Sequence, residues 1–195
     1  MSRYTGPKAR LVRRLGVNIF ESDKYAKILE KRPTAPGMHG ASRTGKASEY
    51  KKQLLEKQKL RFMFGVTEKQ LGNYYKKASA SEEATDIALM KLMERRLDNA
   101  VFKAGFAKTR AQARQMVSHG VFMLNGKRVD VPSIQVNVGD KMEVREKMKS
   151  SPLFNEVKEE KDFDHARWMK SEQKGLKFEV VALPEADDLD KLIEA

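Results

Sequence analysis

Cysteine is absent from this chain of 195 residues. Its absence excludes disulfide bonds and metal sites built on thiolates. The three histidines, His39, His119 and His165, are too few and too scattered along the chain to indicate a metal site. We therefore predict that the protein uses no metal ion and no other cofactor.

Long apolar runs and catalytic motifs are missing as well. No stretch approaches the ~20 apolar residues that span a bilayer, and the N-terminal sequence MSRYTGPKARLVRR lacks the apolar centre of a signal peptide. There is no GxxxxGK motif for nucleotide phosphates. Carboxylates are plentiful, but none pair obviously in an apolar setting. We predict a cytoplasmic protein that is not an enzyme, has no small-molecule substrate and does not enter a membrane.

Positive charge is what the chain has in excess. It contains 39 Lys and Arg against 27 Asp and Glu, for a net charge of +12. Residues 1–60 carry +10 and residues 61–145 carry +6, whereas residues 146–195 carry −4. Such an excess is an argument about partners rather than about fold. The candidate partners are nucleic acid and an anionic membrane surface.

The first half of the chain is predicted to be helical. The Pro- and Gly-containing stretch Pro33–Ser48 is predicted to be a loop. Ser48 is a candidate N-cap, and Thr67 with Gln70 has the spacing of a capping box. Helices are predicted over Ala9–Leu15, Tyr25–Arg32, Ser48–Gly65 and Thr67–Ala78, followed by a polar linker at Ser79–Asp86.

The second half mixes helices and strands. Apolar residues repeat at helical spacing from Ile87 to Gly105, and a second capping box, Thr109 with Gln112, begins a helix that Gly120 ends. The dipeptide Asn125-Gly126 predicts a type I′ hairpin turn, which needs two positive φ angles. Strands are predicted at Val121–Leu124, Lys127–Val131, Ile134–Val138, Lys141–Arg145 and Lys177–Leu183, and a charged helical segment at Lys147–Ser171.

The basic residues of the helix from Thr109 are the main candidates for binding a polyanion. Arg110 and Arg114 are four residues apart and share one helical face, which Gln115 and Ser118 border. We expect the acidic residues of this segment to lie largely away from that face. Guanidinium groups there would bind phosphates by charge and by paired hydrogen bonds. The alternative is an exposed face that only confers solubility.

The N-terminal segment carries the same chemistry less regularly. Its basic residues, interspersed with Tyr4, Gly6 and Pro7, are Arg3, Lys8, Arg10, Arg13 and Arg14. With few apolar residues to bury, we expect this basic arm to be mobile in the free protein and to become ordered on RNA. The alternative is a disordered basic tail, which would itself be able to bind RNA and become ordered on contact.

Several runs carry a resemblance to a known family. The run ERRLDNAVFKAGFAKTRAQARQMVSHGVFMLNGKRVDVPS resembles the RNA-binding module of the S-four family of small-subunit ribosomal proteins. RYTGPKARLVRR, APGMHG and SEYKKQLLEKQKLRFMFGVTEKQLGNYY also look like that family, in its order. The resemblance is close over residues 1–148 and loose over 149–195. It is to the bacterial type in a zinc-free variant, because the cysteines that bind zinc in many members are absent.

The resemblance implies an α+β fold, with a mostly helical body and a small RNA-binding module of two helices packed on a short antiparallel sheet. The body is expected at 1–80 with the basic arm, the module at 85–185 with its core at 94–148 and a strand near 177–183, and an acidic tail at 186–195 on the body. The implied role is a structural component of the small ribosomal subunit, a primary binder of its RNA that nucleates assembly of the 5′ domain of that RNA. The protein would also lie near the channel through which mRNA enters and near a neighbouring protein of the fidelity interface.

The expected partners are small-subunit ribosomal RNA, neighbouring ribosomal proteins and, through Arg43 and Lys46, mRNA. The loop that carries Arg43 and Lys46 is less basic than is usual in the family, which weakens the expectation of mRNA unwinding. The residues expected to contact ribosomal RNA are Arg3, Tyr4, Lys8, Arg10, Arg13, Arg14, His39, Lys51, Lys59, Arg61, Lys108, Arg110, Arg114, Gln115, Ser118, His119, Lys127 and Arg128.

Two other functions use the same kind of module. An RNA-modifying synthase would need a further catalytic domain, and only about fifty residues follow the core of the module, fewer than domains usually contain. A free-standing RNA chaperone would lack the basic arm and the helix SEYKKQLLEKQKLRF, both present here. We therefore favour the ribosomal role over both alternatives.

Overall fold

A computed structural model of the chain describes residues 4–42, 47–155, 157 and 166–189. Within these residues the chain forms eight α-helices and one five-stranded antiparallel sheet, so the predicted α+β class is confirmed. The chain divides into two compact units. Unit 1 lies within residues 4–73, and unit 2 comprises Tyr74–Leu189.

Unit 1 is helical, and local capping signals explain where its helices begin. Its helices are α1 (Lys8–Leu15), α2 (Asp23–Lys31), α3 (Glu49–Met63) and the start of α4 (Glu68–Ser79), which contains the boundary between the units. Ser48 Oγ accepts a hydrogen bond from the Lys51 N–H at 3.3 Å. Thr67 and Gln70 exchange side-chain-to-backbone hydrogen bonds of 3.0 and 3.3 Å, which confirms the predicted capping box.

The basic arm is a packed part of unit 1, and the expectation that it is mobile was wrong for the described residues. Helix α1 is amphipathic: Leu11, Val12 and Leu15 are buried, and α1 packs against α2. Spacings of one, three and four residues place these three side chains on one face. The apolar content is low on average but is concentrated on one stripe, which is enough to order the helix.

After the end of α4, unit 2 continues with α5 (Thr85–Glu94) and α6 (Leu97–Lys103), where the sequence predicted one continuous helix from Ile87 to Gly105. Arg96 interrupts it with an extended backbone, φ −64° and ψ 139°. The Leu97 N–H donates to Ile134 O at 2.8 Å, and the Val136 N–H donates to Arg95 O at 2.9 Å. The break therefore pairs with the segment that was predicted to be the strand Ile134–Val138. That segment forms only an isolated bridge, between Arg96 and Gln135.

The sheet of unit 2 has the strand order β2-β1-β3-β5-β4, with every neighbouring pair antiparallel. Asn125 and Gly126 connect β1 to β2 with φ angles of 50° and 78°, as the predicted type I′ turn requires. The strands are β1 (Phe122–Leu124), β2 (Lys127–Arg128), β3 (Lys141–Val144), β4 (Met169–Glu172) and β5 (Lys177–Val180).

Part of the segment Lys147–Ser171 differs from its predicted helical state. It contains the end of the short helix α8 (Glu146–Lys149), a 3₁₀ turn at Pro152–Phe154 and then strand β4. Strand β4 is polar and lies at the edge of the sheet, where it pairs only with β5. Its strand conformation therefore depends on pairing with β5, which comes later in the sequence.

The core of unit 2 lies between the sheet and the helix pair α6 and α7 (Arg110–Ser118). Phe106 is central: its ring centroid lies 6.3 Å from that of Phe122 and 5.7 Å from that of Phe178. Trp168 is 2% exposed and belongs to the same cluster, so it packs in the core. Among the described residues, no helix is both long and apolar enough to span a membrane.

Candidate nucleic-acid interface

Helix α7 carries the principal basic candidates, and its N-terminus is fixed by local hydrogen bonds. Thr109 Oγ1 accepts a hydrogen bond from the Gln112 N–H at 3.2 Å. Gln112 Oε1 accepts its reciprocal bond from the Lys108 N–H at 3.0 Å, one residue before the position that the capping-box pattern predicts. The start of α7 is therefore held at two consecutive residues, with the Lys108 side chain exposed beside it.

A layer of buried polar residues lies under the arginines of α7. Glu94, Arg96, Asp98 and Asn99 are at most 4% exposed. The Asp98 carboxylate accepts hydrogen bonds from Arg96 Nε at 3.0 Å and Nη2 at 2.7 Å, and Arg96 Nη1 donates to the Tyr74 hydroxyl at 2.8 Å. Buried charges are tolerated when they are paired and hydrogen-bonded in this way.

This layer also orients Arg110 and Arg114. Asn99 Nδ2 donates to Glu94 Oε2 at 2.6 Å, which fixes the orientation of the side-chain amide. The other side of the amide, Asn99 Oδ1, then accepts a hydrogen bond from Arg110 Nε at 2.9 Å. The Arg110 guanidinium also lies 4.7 Å from the centroid of the Phe102 ring. Arg114 Nη1 lies 3.6 Å from Asp98 Oδ2, and the Arg114 side chain is only 12% exposed.

The expectation that acidic residues lie away from this face was therefore wrong for Asp98. Burial lowers the pKa of Arg96, but attraction and hydrogen bonding from Asp98 outweigh it, and the pKa is raised above its ordinary value. Arg96 thus stays protonated and, with Arg114, adds positive charge around a single carboxylate.

The hairpin of β1 and β2 presents Lys127 and Arg128, which are both exposed. Its turn is braced from the side. Asn125 Nδ2 donates to Asp140 Oδ1 at 2.8 Å, and Asn125 Oδ1 accepts from the Lys141 N–H at 2.9 Å. The two basic side chains consequently project from a fixed turn rather than from a loose loop.

The remaining candidates of unit 2 lie at the C-terminal half of α7. Gln115 is exposed, and the Ser118 hydroxyl donates to Arg114 O at 2.8 Å within the helix. His119 is exposed at the C-cap position, where a cation would complement the helix dipole. Arg145 lies close by and was not selected from the sequence, because nothing in its spacing singles it out. It is placed here by strand pairing.

In unit 1, some basic residues of α1 are exposed and others contact neighbouring residues. Arg10 and Arg14 are exposed, whereas Lys8 Nζ lies 4.9 Å from the centroid of the Phe20 ring. Arg13 Nε donates to Thr34 O at 3.0 Å, and its Nη2 donates to Ala35 O at 3.3 Å. Tyr4 is exposed, with its ring edge-on to Phe62.

Arg13 and Gly40 shape the loop that carries His39. An ideal Cβ on Gly40 would lie 1.8 Å from Ala35 O, so only glycine allows this close approach of the backbone. Arg13 binds the same stretch through the carbonyl of Ala35. His39 is exposed, and the neighbouring Met38 is 92% exposed, so the loop directs both side chains outward.

The three candidates on α3 differ in how far they are engaged. Lys51 is exposed, but Lys59 Nζ pairs with Glu56 at 2.6 Å and its side chain is 13% exposed. Arg61 Nη1 donates to Gln58 at 3.1 Å and to Glu68 at 3.2 Å. Three further candidates, Arg3, Arg43 and Lys46, lie outside the described residues. Among all the residues that the structure describes, no group of three His, Asp or Glu side chains is arranged to hold a metal ion.

Comparison with known proteins gives two domain matches, which meet between residues 94 and 95 rather than at the boundary between the two units. The sequence profile of the Ribosomal protein S4/S9 N-terminal domain matches residues 3–94, and that of the S4 domain matches residues 95–141. The small ribosomal subunit protein uS4 of Borrelia duttonii (strain Ly) is 45% identical over 194 residues, which cover 98% of this chain and 93% of the relative. The chain belongs to the uS4 family.

Two further relatives have the same name. That of Chlorobium limicola (strain DSM 245 / NBRC 103803 / 6330) is 44% identical over 192 residues, covering 98% of this chain and 94% of the relative. That of Borrelia turicatae (strain 91E135) is 54% identical over 147 residues, which cover 75% of this chain and 71% of the relative. The family predicted from the sequence is confirmed, and so is the prediction that the chain is not an enzyme. The S4-domain match contains Lys108, Arg110 and Arg128 but ends before Arg145.

Proposed function

We propose that this chain is a structural component of the small ribosomal subunit that binds ribosomal RNA and nucleates assembly of the RNA domain around it. The observation that carries the proposal is the arrangement in unit 2. A capped helix holds Arg110 and Arg114 against a buried polar layer, and a braced hairpin presents Lys127 and Arg128. Guanidinium groups that are already oriented, as those of Arg110 and Arg114 are, bind a phosphate backbone with little further ordering of their side chains.

The phosphate contacts can be tested by the salt dependence of binding. Lys108→Ala with Lys127→Ala removes two exposed cations beside α7 and on the hairpin. Affinity for a transcript of the 5′ domain of small-subunit ribosomal RNA is measured across a series of salt concentrations. Each lost phosphate contact removes about 0.7–0.9 from the slope of log K against log salt, so the double variant should lose about 1.4–1.8.

A matched control removes the same charge from the opposite edge of the sheet. Lys170 on β4 and Lys174 in the following turn are both exposed, and β4 lies at the other end of the strand order from β2. Lys170→Ala with Lys174→Ala should leave the slope unchanged. Equal losses from the two pairs would indicate nonspecific attraction by net charge and would contradict an interface at α7 and the hairpin.

The ribosomal role has a separate test against the chaperone alternative. The tagged chain should sediment with small subunits after a high-salt wash and should already be present in early assembly particles. A pool that remains free of subunits would favour the chaperone. Small-subunit RNA that assembles at an unchanged rate without the chain would contradict nucleation.

The proposal includes a neighbouring ribosomal protein and mRNA as further partners. Val138, Val181 and Leu183 are each at least 43% exposed. The Gly139 N–H donates to Val180 O at 2.8 Å, so the backbone segments that carry Val138 and Val181 are adjacent. Exposed apolar side chains suit a protein partner. For mRNA, Arg43→Ala with Lys46→Ala should slow unwinding of structured mRNA by reconstituted subunits. An unchanged rate would remove mRNA from the proposal.

A further inference from the structure

Two arginines that are distant in sequence converge on Gly120. Arg145 Nη1 donates a hydrogen bond to Gly120 O at 3.1 Å. The Arg128 guanidinium lies across the α-carbon of the same glycine: an ideal Cβ there would be 2.5 Å from Arg128 Nε and 2.7 Å from Nη2. A side chain on residue 120 would occupy the space that the Arg128 guanidinium fills.

Strand pairing accounts for this convergence. Strand β1 lies between β2 and β3, with Met123 opposite Arg128 and Phe122 opposite Val144. The Arg145 N–H donates to Val121 O at 3.0 Å, one residue beyond β3. Arg128 and Arg145 therefore flank the beginning of β1 from its two sides, next to the residue through which the chain leaves α7.

Gly120 joins α7 to β1 in a conformation that favours glycine. Its φ is +66°, its N–H donates to Val117 O at 2.8 Å, and the Val121 N–H donates to Met116 O at 3.2 Å. These are the two hydrogen bonds of a Schellman motif. Glycine is thus required here for two reasons, a left-handed backbone and the space for Arg128.

The charge at this point is positive. Among the described residues, neither Arg128 nor Arg145 forms an ion pair with a carboxylate. The C-terminus of α7 contributes about half a negative charge, which is smaller than the charge of two guanidinium groups. Arg128 is exposed and Arg145 half-buried, with exposed His119 immediately before the glycine.

We propose that Arg128 and Arg145 form a phosphate-binding site over Gly120, which takes a phosphodiester of the RNA backbone. A guanidinium carries only donors, arranged as a fork that matches phosphate oxygens. Arg145 is hydrogen-bonded to Gly120 and Arg128 lies against the same glycine, so the two groups are placed to present their remaining donors to one anion. The inference rests on the proposed function, and it adds Arg145, which lies beyond the match to the S4 domain.

The test separates the guanidinium groups from the glycine. Binding of the full chain to the 5′-domain transcript is measured at several salt concentrations, with thermal unfolding measured on the same samples. Arg128→Ala and Arg145→Ala should each reduce the salt slope by about 0.7–0.9. Arg145→Lys keeps the charge but loses the fork, so it should retain the slope and still weaken binding.

Gly120→Ala gives the sharper test, because the new methyl group displaces Arg128. It should weaken RNA binding in the natural chain and have no further effect in the Arg128→Ala background. The matched control is Gly139→Ala, since Gly139 has a φ of +87° but nothing within 4 Å of its Cβ position. It imposes the same kind of backbone strain and should lower thermal stability without changing RNA affinity.

The outcomes distinguish this site from the general proposal. If the natural chain fails to bind the transcript in a salt-dependent way, both the proposed function and this site are overturned. If it binds but the arginine variants keep its slope and affinity, only the site is overturned. Equal loss of RNA affinity on Gly120→Ala with and without Arg128 would show that the glycine acts through the fold, and would also overturn the site.

Discussion

Arg96 and Asp98 form a bidentate ion pair inside unit 2, with Nε and Nη2 of the arginine 3.0 and 2.7 Å from the two carboxylate oxygens. Both residues are buried, at 0% and 4% exposure. The pair stands at the break between α5 and α6, where the backbone of Arg96 leaves the helical conformation. It thus links the path of the main chain to the placement of Arg114, which approaches the same carboxylate.

Removing this carboxylate should destabilise unit 2 strongly. Asp98→Ala leaves the buried guanidinium of Arg96 without its counter-charge, a change that costs about 3–5 kcal/mol at buried pairs. The free energy of unfolding is measured by urea denaturation, with Asp130→Ala as the control because Asp130 is exposed. A loss at Asp98 no larger than that at Asp130 would show that Arg96 finds another partner.

Helix α1 should contribute to stability through one face and to RNA binding through the other. Leu11→Ala removes a buried side chain and should lower the free energy of unfolding by about 2–5 kcal/mol. Arg14→Ala, on the exposed face, should leave stability within about 0.5 kcal/mol and weaken RNA binding. Denaturation and RNA titration of both variants check this. If the two variants had the same free energy of unfolding, α1 would contribute no packing to unit 1 and the expectation of a mobile arm would stand.

The loop that ends at Gly40 should not tolerate a methyl group at that residue. Gly40→Ala places Cβ against the Ala35 carbonyl, so the backbone must shift, with an expected loss of about 1–3 kcal/mol. Gly72→Ala is the contrasting variant, because Gly72 lies in α4 with open space at its Cβ position. It should stabilise the chain by about 0.5–1 kcal/mol. Thermal unfolding of the two variants tests the expected loss of stability and the expected gain. A Gly40→Ala protein as stable as the natural chain would contradict the close backbone packing of this loop.

Acid should weaken the contact between α3 and α4. The hydrogen bond from Lys57 is the main cause of a lowered pKa for Glu68, which burial partly opposes and the charge of Arg61 supports. Because the folded pKa lies below the ordinary value of 4.5, the stabilisation is complete above that value and is lost as the pH falls through the folded pKa.

Glu68→Gln should therefore lower the melting temperature slightly at pH 7 and have little effect below the folded pKa. Glu68 is half exposed, and such pairs contribute about 0.2–1 kcal/mol before screening by salt. Melting curves at both pH values and at two salt concentrations test the expectation. A difference that persists in acid would assign the effect to packing rather than to charge.

Local signals explain which elements could be predicted from the sequence. The Ser48 cap, the Thr67–Gln70 capping box and the Asn125-Gly126 turn each depend on residues at most three apart. Short-range hydrogen bonds and backbone sterics decide such features before any tertiary contact forms. The family resemblance likewise follows from ordered runs along the chain.

The misassigned elements share a dependence on distant partners. The apolar period from Ile87 to Gly105 does not show that Arg95 and Leu97 bond to residues 134 and 136 rather than within one helix. The segment Ile134–Val138 pairs with this break through the isolated bridge between Arg96 and Gln135, so one tertiary contact is common to both misassignments. Strand β4 was missed because its polar sequence becomes a strand only beside β5.

The sequence by itself determined the α+β class, the family, the helix caps, the hairpin turn and the basic character of α7 and the hairpin. Tertiary structure alone decided where the charges point. Asp98 faces Arg96 and Arg114 from the helix break, and Arg128 and Arg145 both lie against Gly120 because β1 pairs with β2 and with β3, which ends just before Arg145. Charge is a property of each residue, but the electrostatic environment of a side chain depends on neighbours that only the folded chain brings together.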